Sequence, residues 1–97
     1  MSQVIITDSA ARGLERCRRF LATHNSNASK RAAKVIRQHL AVLEKNPEIG
    51  RFFENHEFLK ELIIPFGDSG YVALYEYDVQ ADIVYILSFR HQKEAGY

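Results

Sequence analysis

Long apolar runs, paired cysteines and clustered metal ligands are all missing from this chain, and each absence removes a class of protein. No stretch approaches the roughly 18–20 consecutive apolar residues of a membrane helix; the longest are strand length, so no membrane partner is expected. Cys17 is the single cysteine, which excludes an internal disulfide and makes a reducing, cytoplasmic setting the expectation. His24, His39, His56 and His91 are scattered and, with one cysteine, offer no zinc-like spacing, so neither metal nor cofactor is expected. Gly67-Asp68-Ser69-Gly70 lacks the long glycine spacing and following Lys-Ser/Thr of a phosphate-cradling loop and reads as a hairpin turn. Met1-Ser2-Gln3-Val4-Ile5-Ile6 lacks the basic region, long apolar region and cleavage site of a secretory signal, so none is expected.

What is present is an ordinary globular composition, 46% hydrophobic and 26% charged over 97 residues, which suits one domain spanning residues 1–97. There is no internal repeat and no low-complexity segment. Val4-Ile5-Ile6 is a β-branched run stopped by Thr7-Asp8-Ser9, whose short polar side chains accept hydrogen bonds from the free amides of a helix start. Ala10, Leu14, Cys17 and Leu21, with Phe20 beside them, recur at the spacing of one buried helical stripe, which makes Cys17 an inert core residue. Asn25-Ser26-Asn27-Ala28-Ser29 reads as a turn and a new cap. A second stripe follows in Ala33, Ile36, Leu40 and Leu43, with Ala32 at its edge. Pro47 disfavours helical geometry at Asn46, so this helix ends near Lys45.

Downstream the period changes from helix to strand. Leu59 to Phe66 and Tyr71 to Tyr77 flank the Gly67–Gly70 turn, and Ile83 to Phe89 follows the turn Asp78-Val79-Gln80-Ala81-Asp82. Tyr71, Ala73, Tyr75 and Tyr77 point one way along their strand. Alternation of this kind on a strand that must cover helices favours core over a base-stacking platform. The expected fold is therefore α+β, in the order β-α-α-β-β-β, with an antiparallel helical hairpin packed on a small, mostly antiparallel, twisted sheet. Only the segment 46–57 resists assignment.

Charge is unevenly spread. Up to Arg51 ten Lys or Arg face four acids, a balance of +6; from Phe52 onward three face eight, a balance of −5. Basic helices of this kind attract phosphates or acidic protein partners, or are simply solvated. Arg16, Arg19, Lys34 and Arg37 are the candidate partner-binding residues. At the other end of the chain, Arg90 and His91 follow the last strand and Tyr97 closes the sequence. Metal-independent RNA cleavage needs a group that moves the 2′-hydroxyl proton, cations on the phosphorane and an acid for the departing oxygen. His91, Arg90 and Tyr97 have that chemistry; an ordinary polar strand end has the same composition.

The element order, the helix exit Asn46-Pro47-Glu48-Ile49-Gly50-Arg51, the strand Gly70-Tyr71-Val72-Ala73-Leu74-Tyr75 and the ending Ile86-Leu87-Ser88-Phe89-Arg90-His91-Gln92-Lys93-Glu94-Ala95-Gly96-Tyr97 together resemble the RelE/ParE superfamily of bacterial toxins. The resemblance implies a toxin of a type II toxin-antitoxin system that arrests growth and stabilises plasmids. It implies neutralisation by a cognate antitoxin that lays an extended or helical segment across the toxin, with operator DNA reached only through that antitoxin. Two branches share the fold. RelE-like members are ribosome-dependent mRNA endoribonucleases, for which Arg90, His91 and Tyr97 are the catalytic candidates; ParE-like members poison DNA gyrase. Val72 stands where RelE-like enzymes carry an arginine after Gly-Tyr, and Ile64 and Phe66 stand on the strand where they carry lysines, which favours the ParE-like branch and DNA gyrase as target. A module reduced to antitoxin binding is the third alternative.

Overall fold

A single threonine connects the first strand to the first helix and both to the sheet. In the computed structural model, which describes residues 1–94, β1 (Gln3–Ile6) ends at Thr7, whose extended backbone precedes α1 (Asp8–His24). The Thr7 hydroxyl accepts from the Ala10 amide at 3.3 Å, capping the helix, and donates to the Ile86 carbonyl at 2.7 Å. One polar side chain thereby satisfies a free helix amide and fixes where α1 leaves the sheet.

The hairpin turn is shorter than the sequence suggests. Asn25 alone separates α1 from α2 (Ser26–Lys45). Its amide donates to the Leu21 carbonyl at 2.7 Å, closing α1, and its side chain accepts from the Ala28 amide at 3.0 Å, opening α2. An asparagine that caps in both directions makes the five-residue turn expected over 25–29 unnecessary. The stripe of α2 is also rotated from the expected one: Ala28, Ala32, Leu40 and Leu43 are buried, while Ala33 and Ile36 are half-buried. Ala32 lies near its centre and is buried.

Five strands form one sheet in the order β1-β5-β4-β3-β2. β2 (Arg51–Phe52) lies in the segment left unassigned and pairs antiparallel with β3 (Leu59–Phe66). β4 (Ser69–Asp78) pairs antiparallel with both β3 and β5 (Ile83–His91), and only β1 with β5 is parallel. The α+β fold with its helical hairpin and mostly antiparallel sheet is therefore as expected. At the β3–β4 turn Gly70 has φ 126°, and a Cβ there would meet the Ile64 carbonyl oxygen at 2.1 Å, so the turn requires glycine twice over.

The core lies between the helices and one face of the sheet. Tyr75, Ile64, Val84 and Ile86 from the strands are fully buried, with Ala10 and Leu43 from the helices. Tyr75 and Tyr71 are core residues, as their alternation suggested, and the Tyr75 hydroxyl accepts from the Gly50 amide at 2.8 Å, which anchors the exit from α2. One irregularity decides which side chains of β5 reach the helices. Leu74 lies opposite Ser88 but Tyr75 opposite Ile86, so Leu87 is an extra residue in β5. This bulge reverses the alternation beyond it. Val84 and Ile86 face the helices before it, Phe89 and His91 after it.

α1 lies directly on β5. A Cβ at Gly13 would stand 2.1 Å from the Phe89 carbonyl oxygen, a distance no side chain tolerates without displacing helix or strand. Overpacking of this kind typically costs about 1–3 kcal/mol. Gly13→Ala is accordingly expected to lower the thermal midpoint by several degrees despite its better helix propensity, measured by circular dichroism. A midpoint equal to or above that of the native chain would show that α1 does not rest on β5 at this point.

Candidate functional site

Arg90 and His91 are adjacent in sequence and opposed in space. Arg90 pairs across the sheet with Val72 and His91 with Tyr71, so their side chains leave opposite faces. Adjacent strand residues alternate in direction, so the guanidinium and the imidazole do not share one face of β5. Arg90 Nη1 donates to the carbonyls of His91 and Gln92, each at 3.2 Å, and of Glu94 at 2.9 Å. This guanidinium gathers the turn after β5. Tyr97 lies outside the described residues.

His91 is held at both ring nitrogens. The Lys93 amide can only donate, so Nδ1, 3.1 Å away, is the acceptor. Nε2 then carries the proton and donates to the Ser69 hydroxyl at 3.1 Å. The ring also stands edge-on to Tyr71, with centroids 5.4 Å apart at 89°. Both nitrogens of this imidazole are engaged by the protein. Its partner Ser69 could not be read from the sequence because the contact spans two strands.

Two clefts flank α1, and both owe their existence to how this helix is seated. Ala10, Gly13 and Cys17 are buried, whereas Leu14 and Leu21 are only half-buried and Phe20 is 67% exposed. One cleft, of about 490 Å³, opens between α1 and α2 over Leu14, Leu21, Ala33 and Ile36, with Arg18 and Arg37 on its rim. The other, of about 780 Å³, lies on the far flank of α1 over Phe20, Phe66 and Tyr71, bordered by Arg16, His91 and Lys93. Cys17 borders both, but burial, and then the negative charge of Glu94, push its thiol up to about 11, so it stays protonated and unreactive at neutral pH.

The four candidate cations therefore serve different places. Arg37 is exposed beside the interhelical cleft, and Lys34 is exposed on the same helix. Arg19 is 73% exposed and reaches Glu15 at 3.3 Å, a carboxylate that Arg18 also holds at 2.6 Å. Arg16 borders the second cleft and holds Glu94 at 2.8 Å. Among the described residues no group of three or more His, Cys, Asp and Glu side chains comes together as a metal site, and no helix is long and apolar enough to cross a membrane.

The Arg16–Glu94 pair ties α1 to the turn beyond β5. Partial burial raises the Glu94 pKa, but the Arg16 guanidinium and the His91 amide outweigh it and leave the carboxyl below its ordinary value. A depressed carboxylate stabilises the fold above its unfolded pKa of about 4.3, and the contribution is lost as pH falls through the lower folded value. Glu94→Gln should thus flatten the loss of stability seen between pH 5 and pH 3 in urea melts. An unchanged acid limb would mean that the pair carries no part of it.

The geometry agrees with what comparison with known proteins finds. The family model described as the ParE toxin of the type II toxin-antitoxin system parDE matches residues 4–96. Among solved structures, the intact E. coli RelBE toxin-antitoxin complex is similar with a TM-score of 0.67, covering 97% of this chain and 100% of that one. At 11% identity that likeness is one of fold. No curated protein matches. With all but the extreme ends of the chain matched, the protein belongs to the ParE toxin family of type II toxin-antitoxin systems.

Proposed function

We propose that this toxin engages DNA gyrase and stops replication by binding rather than by chemistry of its own, and that a cognate antitoxin silences it by filling the cleft between α1 and α2. The observation that carries the first part is the divergence of Arg90 and His91 onto opposite faces of the sheet. Phosphodiester cleavage without a metal relies on a proton-transfer group and a cation acting on the same phosphate. Here the imidazole is engaged by Ser69 and Lys93, and the guanidinium by three carbonyls. The face that carries Arg90 has Val72 beside it and Ile63 beyond, with no second cation on those strands at that level.

For the second part, the support is an open apolar groove with cations on its rim. Leu14, Leu21 and Ile36 are half-buried large aliphatic side chains that line the interhelical cleft. An amphipathic segment that buries apolar residues there and sets acids against Arg37 and Arg18 has complementary shape and charge. Lys34, Arg16 and Arg19 are further acceptors of acidic side chains as that segment leaves the cleft. That the similar solved structure is a toxin-antitoxin complex is consistent with this partner.

Purified toxin is expected to produce gyrase-dependent DNA breaks and no cuts in mRNA on translating ribosomes, and His91→Ala to leave growth inhibition intact while folding is retained. Ribosome-dependent cleavage that disappears with His91→Ala would establish the RelE-like endoribonuclease instead. For the antitoxin, Arg37→Glu is expected to weaken the complex about tenfold at 50 mM salt and less at 500 mM, as screening predicts. Unchanged affinity at low salt would remove Arg37 from the interface.

A further inference from the structure

The outer line of α2 is predominantly cationic, and neither the gyrase nor the antitoxin reading accounts for its full length. Ala28, Ala32, Leu40 and Leu43 face the core. At 100° per residue, Lys30, Lys34, Arg37, Ala41 and Lys45 fall on the opposite side, and all five are exposed. Half-buried Glu44 lies at the edge of the line, and among the described residues none of the line's four cations makes an ion pair. From Lys30 to Lys45 it runs the distance of about 22 Å that a helix of this length spans. Arg12 is likewise exposed and without an ion pair on α1, in the same helical layer.

We infer that this line is a sequence-independent docking surface for the phosphate backbone of duplex DNA, used by the free toxin itself. Four cations along about 22 Å run beside about six phosphates of one strand, whose charge density is what a rigid row of lysines and arginines complements. A protein partner is disfavoured because interface centres are apolar or aromatic and depleted in lysine, and Ala41 is the only apolar side chain on the line. A membrane surface is disfavoured because the apolar face of α2 is already buried against the sheet and cannot enter lipid. Single-stranded RNA is disfavoured because the line offers no aromatic ring for bases to stack on.

Such contact carries no sequence information and differs from operator recognition, which the family resemblance assigns to the antitoxin. It goes beyond the target proposed above and does not rest on it, since DNA alone is the probe. It also gives neutralisation a second consequence. An antitoxin that covers Arg37 and Lys34 takes two of the four cations out of reach, so antitoxin and DNA compete for the toxin.

The test is fluorescence anisotropy of a labelled 24-base-pair duplex of arbitrary sequence titrated with the free toxin between 50 and 200 mM KCl. Four phosphate contacts predict a log K against log [KCl] slope of about −3 to −4, a loss of about a hundredfold over that range. The triple neutralisation Lys30→Gln, Lys34→Gln, Lys45→Gln is expected to weaken binding at least tenfold at 50 mM KCl and to reduce the slope by about three. A charge-matched control, Gln3→Glu, Asn55→Asp, Gln80→Glu, places the same change at exposed sites off α2 and should stay within about threefold of the native chain. Circular dichroism melts confirm that each variant is folded. No binding to the duplex at 50 mM KCl, equal loss in both variants, or a single-stranded RNA of the same length or an anionic vesicle bound more tightly than the duplex would each overturn the inference.

Discussion

The contact on which the molecule turns is the one between Gly13 and the backbone of Phe89. Helix α1 touches β5 there with no side chain between them, and Ala10 and Cys17 complete a narrow buried face one turn on either side. A helix seated this closely on a twisted sheet cannot stay in contact along its whole length, because the strands rotate away beneath it. Burial accordingly fades from Cys17 to Phe20, and the second half of α1 stands with a cleft on each flank. The two apolar clefts beside α1 thus follow from how closely the helix is seated at this glycine.

A second local feature, the bulge at Leu87, sets the chemistry of the chain's end. It returns Phe89 and His91 to the helical side, where Phe89 closes the core against Tyr71 and His91 finds Ser69. Arg90 is turned the other way and gives its hydrogen bonds to the turn after β5. Both residues serve the architecture of the strand end, and Arg16 completes it by binding Glu94. The end of β5 is thus held together by its own polar groups. That is the physical basis for favouring a binding protein over an enzyme.

Much of this was legible in the residues. Thr7-Asp8-Ser9 announced a capped helix, the apolar spacing of 10–21 and 33–43 announced two amphipathic helices, and the alternation of Tyr71, Ala73 and Tyr75 announced a half-helical, half-strand core. Other features depended on contacts between distant segments. Asn25 capping in two directions looks like any polar turn residue, and a two-residue edge strand at Arg51–Phe52 has no periodicity to detect. The bulge was invisible because Ile83 to Phe89 is apolar on both faces, so no alternation marks where the register slips. Without it, the side to which His91 points could not be assigned, and the opposition of Arg90 and His91 was lost in their adjacency.

The halves of opposite charge acquire a spatial meaning in the structure. The basic half is the helical layer and the acidic half belongs largely to the sheet, so the molecule presents a cationic outer surface with apolar clefts opening beside its first helix. The most direct test of this account is hydrogen exchange of the toxin alone and with its cognate antitoxin. The account predicts new protection concentrated in 14–21 of α1 and 29–37 of α2, where the interhelical cleft lies. Protection confined to β3 and β4, with both helices exchanging as in the free protein, would contradict it.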